Sequence, residues 1–144
     1  MRKTILRHAF VILTAAFVLG LVAGAAGGAH SPLARAWLAS HVTGILVCLL
    51  MSVVALAWPD LELGRRGQRV LYWVTVPANY VNLLVLGILT PLLGSAPTIA
   101  SPGAPAAAAG VKALVGAGVT FASVVSFVMA GLVLYGLRGR VDRA

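Results

Sequence analysis

The sequence predicts an all-α integral membrane protein, a bundle of four transmembrane helices that forms one domain over residues 1–144. Of the 144 residues, 60% are hydrophobic and only 10% are charged, and the mean hydropathy is +1.00. So few charged side chains cannot coat a water-soluble monomer. Four uncharged runs, at 9–28, 37–58, 70–93 and 113–136, are each long enough to cross a hydrocarbon core about 30 Å thick.

The first span, residues 9–28, follows a basic start, an order that secretory signal peptides also have. Two observations favour a retained helix. The apolar run has close to 20 residues, whereas the apolar part of a signal usually has about 7–15. Gly20, Gly24 and Gly28 recur every four residues, a spacing that allows close helix packing. We therefore expect this segment to remain as a span.

The second span, residues 37–58, contains a histidine at membrane depth, where ionisable side chains are costly. Ser31 and Pro32 are suited to begin this helix, which places His41 about 13 Å along it. A stripe of small side chains runs beside the histidine: Ser40, Gly44, Cys48 and Ser52. The stripe would admit a neighbouring helix or a flat cofactor. His41 is accordingly an interhelical hydrogen-bonding residue or a ligand.

The third span, residues 70–93, has a polar face. Tyr80 lies about 100° to the side of this face. Pro77 removes a hydrogen bond to the carbonyl of Trp73 and predicts a kink. The face itself consists of four side chains spaced 3, 4 and 3 residues apart: Tyr72, Thr75, Asn79 and Asn82. It either bonds to neighbouring helices or lines a substrate pocket.

The fourth span, residues 113–136, carries Thr120, Ser123 and Ser126, whose small hydroxyl side chains we expect to serve helix packing. Before it, residues 95–112 are rich in Pro, Ala and Gly and lack periodicity. This composition predicts a loop or a short re-entrant segment. No Asp or Glu lies in a span, so no carboxylate relay for protons is expected. The single cysteine allows no intrachain disulfide and no thiolate metal cluster.

Basic residues are distributed unequally between the two ends of the spans. Arg35 and Lys112 lie at one end, and nine lie at the other: Arg2, Lys3, Arg7, Arg65, Arg66, Arg69, Arg138, Arg140 and Arg143. The positive-inside rule then places both termini in the cytoplasm and the protein in the inner (cytoplasmic) membrane. The net charge of +8 does not predict nucleic-acid binding, because the cations lie between apolar blocks.

In the order of its motifs, the chain resembles a family of small four-helix membrane isomerases, the hydroxylaminobenzene mutases and styrene oxide isomerases. The resemblance rests on four motifs. The second span has His41 with Gly44, and the third has Ala78-Asn79-Tyr80. The outer loop that follows has Ser95-Ala96-Pro97-Thr98-Ile99-Ala100, and the chain ends with Leu134-Tyr135-Gly136-Leu137-Arg138-Gly139 before its last residues.

The resemblance implies a homotrimer with haem b at the subunit interfaces. His41 would be the axial ligand of the ferric iron, and Gly44 would let the ring approach the helix. With one histidine per subunit, the iron would keep an open position at which it polarises a substrate oxygen. Asn79 and Asn82 would orient a small aromatic substrate drawn from the lipid bilayer. Tyr80 would stack on its ring or donate a hydrogen bond, and no electron donor would be needed.

Val47 stands where the family pattern has an asparagine six residues after the histidine. Thr75 and Leu83 replace an acidic residue and a tyrosine of the styrene oxide branch, and the remaining polar set with Tyr80 and Asn82 fits the mutase branch better. We therefore expect hydroxylaminobenzene mutase chemistry, the conversion of an aryl hydroxylamine to an ortho-aminophenol. The alternative reaction converts an aryl epoxide to an aldehyde. Two other hypotheses stay open. One is a non-catalytic membrane subunit in which His41 and Asn79 only join helices, and the other is a transporter of small amphipathic molecules.

Overall fold

A computed structural model gives the fold and describes residues 1–26, 32–89, 91 and 109–138. In chain order, these residues form α1 (Arg2–Ala25), α2 (Pro32–Ala57), a 3₁₀ turn (Trp58–Asp60), α3 (Arg65–Asn82), a π-helical segment (Leu83–Leu89) and α4 (Ala109–Leu137). Within the described ranges, four helices are long and apolar enough to cross a membrane, the third being α3 continued by the π-helical segment. The predicted fold class, all-α with four membrane-spanning helices, is confirmed.

All four helices begin before the uncharged run by which they were recognised, at Arg2, Pro32, Arg65 and Ala109 rather than at residues 9, 37, 70 and 113. Uncharged runs mark only the part that must lie in hydrocarbon, whereas a helix continues into the headgroup layer, where Arg and Lys are solvated. Residues 109–112, which we expected in a loop, are therefore helical. The predicted span ends at 28 and 93 and the rest of that loop lie outside the described residues.

The second and third spans follow the sequence signals closely. Pro32 is the first residue of α2, as predicted, while Ser31 lies outside the described residues. Pro77 lies inside α3, which continues to Asn82. The kink at Pro77 stays a prediction. From Leu83 the hydrogen bonding widens to the π pattern, which is rare and often occurs near functional sites.

The helices pack as two pairs. α1 packs mainly on α2, and α3 mainly on α4. The pairs meet chiefly where α2 contacts the π-helical segment. The first pair buries Ile5, Ile12 and Met51, and a second cluster joins Leu71 of α3 to Met129 of α4. α4 is otherwise mostly exposed, so most of its surface is left for lipid or for another subunit.

The connection between α2 and α3 is hydrogen-bonded to the end of α4 and packs against it. The backbone N–H of Glu62 donates to the carbonyl of Gly136 over 2.8 Å. A Cβ added at Gly136 would lie 3.1 Å from side-chain atoms of Leu61 and Leu63, so the glycine allows this close contact. Beyond it, the Arg138 guanidinium lies 3.5 Å from the centre of its neighbouring Tyr135 ring.

These contacts bring most of the basic residues to one end of the bundle. α1 and α2 are antiparallel, because Gly20 approaches His41 while Ala16 approaches Gly44. The start of α1 therefore lies at the same end as the α2–α3 connection and the end of α4. We call this end, which carries Arg2, Lys3, Arg7, Arg65, Arg66, Arg69 and Arg138, the basic end. All seven of these side chains are exposed.

The two ends of the bundle should be accessible from opposite faces of a membrane. Single substitutions Arg66→Cys and Lys112→Cys place thiols at exposed positions at the two ends. We expect a membrane-impermeant maleimide to label each variant from one side only, and the two from opposite sides. The unsubstituted chain is the control, because its Cys48 is buried and should stay unlabelled. Labelling of both variants from the same side would contradict this topology.

Candidate functional site

His41 lies half-buried on α2 with its ring against α1. Its Nδ1 atom is 2.8 Å from the carbonyl oxygen of Ala16. A carbonyl oxygen only accepts hydrogen bonds, so Nδ1 carries the hydrogen and donates it. The lone pair of the neutral imidazole is then on Nε2. His41 is therefore held in the tautomer that binds a metal through Nε2.

The ring of His41 also lies close to two further residues of α1, Gly20 and Phe17. Gly20 lies so close that an added Cβ would be 2.7 Å from Nδ1. The ring of Phe17 is tilted by 42°, with its centre 6.2 Å from that of the imidazole. Phe17 is itself exposed. The imidazole thus lies at the boundary between the α1–α2 contact and the outer surface of the chain.

The stripe of small residues beside His41 packs against α1. A Cβ added at Gly44 would lie 2.6 Å from Cβ of Ala16, so the two helices touch there. Ser40 donates its hydroxyl hydrogen to the carbonyl of Ala36 over 2.9 Å, and Cys48 is buried. Of the two uses that the sequence allowed for the stripe, helix packing is the one observed within this chain. A cofactor-binding role for Gly44 stays a prediction.

Asn79 and Asn82 lie together in a groove between α3 and α4. The groove is lined on α3 also by Val74 and Ala78, and on α4 by Ala122, Val125, Ser126 and Met129. Asn79 is buried and donates from Nδ2 to the carbonyl of Thr75 over 2.7 Å. The polar face predicted for the third span therefore borders a small groove of about 10 Å³, which has room for about one water molecule.

Two oxygen atoms on this polar face are buried without a hydrogen-bond partner in the described part of the chain. They are Oδ1 of Asn82 and Oγ1 of Thr75. Leaving a buried polar atom unpaired costs on the order of 1–3 kcal/mol. Native proteins keep few such atoms, and each calls for an explanation such as a role in catalysis or in binding a water or ion. Asn82 lines the groove, and its Oδ1 atom is a hydrogen-bond acceptor that no described residue satisfies.

Tyr80 contacts α1 instead of the groove. Its hydroxyl oxygen is 3.0 Å from Nδ1 of His8, and the two rings meet edge to face with centres 5.6 Å apart. The sequence singled out Tyr80 but not His8, because the two residues are 72 positions apart and no local pattern joins them. The hydrogen bond makes His8 an additional candidate residue.

Within one chain, the five predicted site residues do not converge on one point. His41 and Gly44 contact α1 near Ala16, whereas Asn79 and Asn82 line the groove facing α4. Tyr80 bonds to His8, which lies eight residues, or about 12 Å, from Ala16 along α1. The arrangement therefore places the imidazole of His41 against α1 and the two asparagines at a groove against α4.

Comparison with known proteins gives one match. A family model described as styrene oxide isomerase matches residues 1–138. This range contains all four helices described above and every candidate residue. No curated protein and no solved structure matches the chain.

Proposed function

Because this chain belongs to the styrene oxide isomerase family, we propose that it is a haem-dependent membrane isomerase that rearranges a small aromatic substrate. The family membership suggests an isomerase of the styrene oxide isomerase type. The haem, the substrate and the assembly are our proposals. The observation that carries the haem proposal is the hydrogen bond from Nδ1 of His41 to the Ala16 carbonyl, since it leaves Nε2 as the available ligand.

The donor set fits the iron of a haem better than a bare metal ion. Histidines that bind metals almost always donate their other ring N–H to a carboxylate, a backbone carbonyl or water, as His41 does to Ala16. No group of three His, Cys, Asp or Glu side chains gathers in the described ranges, so a macrocycle that brings its own nitrogen ligands matches a site with one histidine. When bound, ferric haem b supplies Lewis acidity toward a substrate oxygen.

The residues of the groove would bind the substrate and exclude water. Asn79 is fixed by its bond to the Thr75 carbonyl, and Asn82 offers its unpaired oxygen. Val74, Val125 and Met129 line the same groove, whose volume of about 10 Å³ would have to increase before it could hold an aromatic ring. Exclusion of water matters because water that attacked an opening epoxide would give a diol in place of a rearranged product.

The family membership favours an aryl epoxide as the first substrate to test. The benzylic carbon–oxygen bond would break, a hydrogen would move with its electron pair from the terminal to the benzylic carbon, and the terminal carbon would become the aldehyde. The reaction involves no net oxidation or reduction. It therefore requires neither an electron donor nor an oxidant.

An aryl hydroxylamine is the second candidate substrate, and one observation favours it. The buried oxygen of Asn82 needs a hydrogen-bond donor. A hydroxylamine carries N–H and O–H donors, whereas an epoxide carries none. Moving the hydroxyl group within that molecule would give an ortho-aminophenol, as expected from Val47, Thr75 and Leu83.

We also propose that the reaction centre is shared between subunits of a homotrimer. The imidazole of His41 contacts α1, and Asn82 lines a groove against α4, so in this proposal one centre takes the two residues from neighbouring chains. The exposure of α4, where Phe127 is 80% exposed, leaves a surface for such a neighbour. By the positive-inside rule, the basic end would face the cytoplasm from the inner membrane.

Purified protein supplemented with ferric haem b should show a Soret absorption band that depends on His41. We expect the band to disappear in His41→Ala, because the axial ligand is lost. His8→Ala is the matched control, because His8 is the other histidine in the described residues and its Nδ1 is also hydrogen-bonded, and it should keep the band. A wild-type protein without the band, or an unchanged band in His41→Ala, would remove the basis for the proposed chemistry.

The two substrates can be compared in membranes without any reductant. With styrene oxide carrying two deuterium atoms on the terminal carbon, we expect an aldehyde that, when trapped immediately as the alcohol, keeps both atoms. With phenylhydroxylamine in oxygen-18 water, we expect an ortho-aminophenol without the heavy isotope. A diol, loss of deuterium or incorporation of oxygen-18 would contradict intramolecular transfer. Turnover of the hydroxylamine alone would reverse the order of the two candidates.

Complementation tests the shared centre. Homogeneous His41→Ala and Asn82→Ala assemblies should each lose activity, Asn82→Ala by on the order of 10–100-fold because the substrate is no longer positioned. Co-expressed with different tags and purified through both, they should regain activity, since some interfaces combine an intact His41 with an intact Asn82. Doubly tagged assemblies of His41→Ala alone are the control. Absence of recovery in mixed assemblies would show that each centre lies within one chain.

A further inference from the structure

We infer that Gly20 is a positioning residue for His41. The missing side chain at this position lets the imidazole reach the Ala16 carbonyl, and that contact decides which ring nitrogen is available to a ligand. The inference rests on the proposed function in one respect, because it treats His41 as the residue that holds the haem iron.

The distances around Gly20 support this role. A Cβ added there would lie 2.7 Å from Nδ1 of His41, 3.0 Å from Cε1 and 3.2 Å from Cγ. Carbon and nitrogen atoms that are not bonded do not approach so closely without displacement of one of them. The closest atom would be Nδ1, which also donates the 2.8 Å hydrogen bond to Ala16. Any side chain at position 20 would therefore push away the atom that fixes the tautomer.

The neighbouring glycines show that this contact is specific. Gly24, one turn further along the same face of α1, has nothing within 4 Å of an added Cβ. The spacing of Gly20, Gly24 and Gly28 predicted a helix-packing face. Gly28 lies outside the described residues, and Gly24 makes no such contact within the chain. Of Gly20 and Gly24, Gly20 is therefore the glycine at which an added Cβ would meet the imidazole.

Gly44 contributes to the same geometry from the opposite helix. It lets Ala16 touch α2, which brings the Ala16 carbonyl within reach of a histidine one turn away. Gly20 then leaves room for the ring itself. The hydrogen-bond acceptor is a main-chain atom that no substitution removes, so Gly20 is the position through which the contact can be altered.

A Gly20→Ala variant should bind haem more weakly. We expect the dissociation constant for ferric haem b, measured on the full-length protein in detergent by titration at the Soret band, to rise about 10–100-fold, the usual effect of losing a partner of a metal-binding histidine. Gly24→Ala is the matched control and should bind like the wild type. Equal affinities of Gly20→Ala and the wild type would overturn the inference.

Nitrogen-15 NMR of histidine-labelled protein without haem gives a second measurement. In the wild type, the His41 signal, assigned by its loss in His41→Gln, should report the tautomer protonated at Nδ1. In Gly20→Ala it should report a mixture of tautomers. A wild-type His41 protonated at Nε2 would overturn the inference even if Gly20→Ala failed to fold.

The two measurements separate this inference from the proposed function. If the wild type binds no haem but His41 has the Nδ1-protonated tautomer and loses it in Gly20→Ala, the positioning role stands and the haem proposal fails. If the wild type binds haem and Gly20→Ala binds it equally well, the haem proposal stands and the positioning role of Gly20 is wrong.

Discussion

The contact between α1 and α2 around Ala16 governs both the packing of the first helix pair and the chemistry of His41. In a bilayer, helices gain little from the hydrophobic effect when they associate, so close packing at small residues and hydrogen bonds between helices hold them together. Gly44 and Ala16 provide the close packing, and the bond from His41 to the Ala16 carbonyl provides the polar interaction. The same bond that joins the helices selects the tautomer of the imidazole.

A second constraint acts at the basic end, where the chain leaves the hydrocarbon. The connection after α2 is short, and its Glu62 N–H is paired with the Gly136 carbonyl at the end of α4. The last carbonyls of a helix have no partner within the helix, so this bond satisfies one of them and joins the two helix pairs. The charged side chains of this end stay exposed, which keeps their solvation while the helices cross the apolar layer.

The presence and approximate position of the four helices could be predicted because they depend on a local feature, the length of uncharged runs. The high cost of an ionisable group in lipid likewise made His41 a candidate site residue. Contacts between helices could not be predicted in this way. The spacing of the glycines indicated packing but could not show that Gly20 meets an imidazole while Gly24 meets nothing. The pairing of Tyr80 with His8 depends on how α1 lies against α3. The groove that Asn82 lines likewise depends on how α3 lies against α4.

The location of the polar groups also helps to distinguish a non-catalytic role, in which they only join helices, from a role in substrate binding. If Asn79, Asn82 and Thr75 served only to join helices, their polar atoms should be paired within the bundle, because an unpaired polar atom is costly in an apolar environment. Asn79 is paired with its own helix, and the oxygens of Asn82 and Thr75 are not paired in the described residues. A structural role in this chain therefore leaves two buried oxygens unexplained. The proposed binding of a polar substrate would give the Asn82 oxygen a partner, and it agrees with the membership of the chain in the styrene oxide isomerase family.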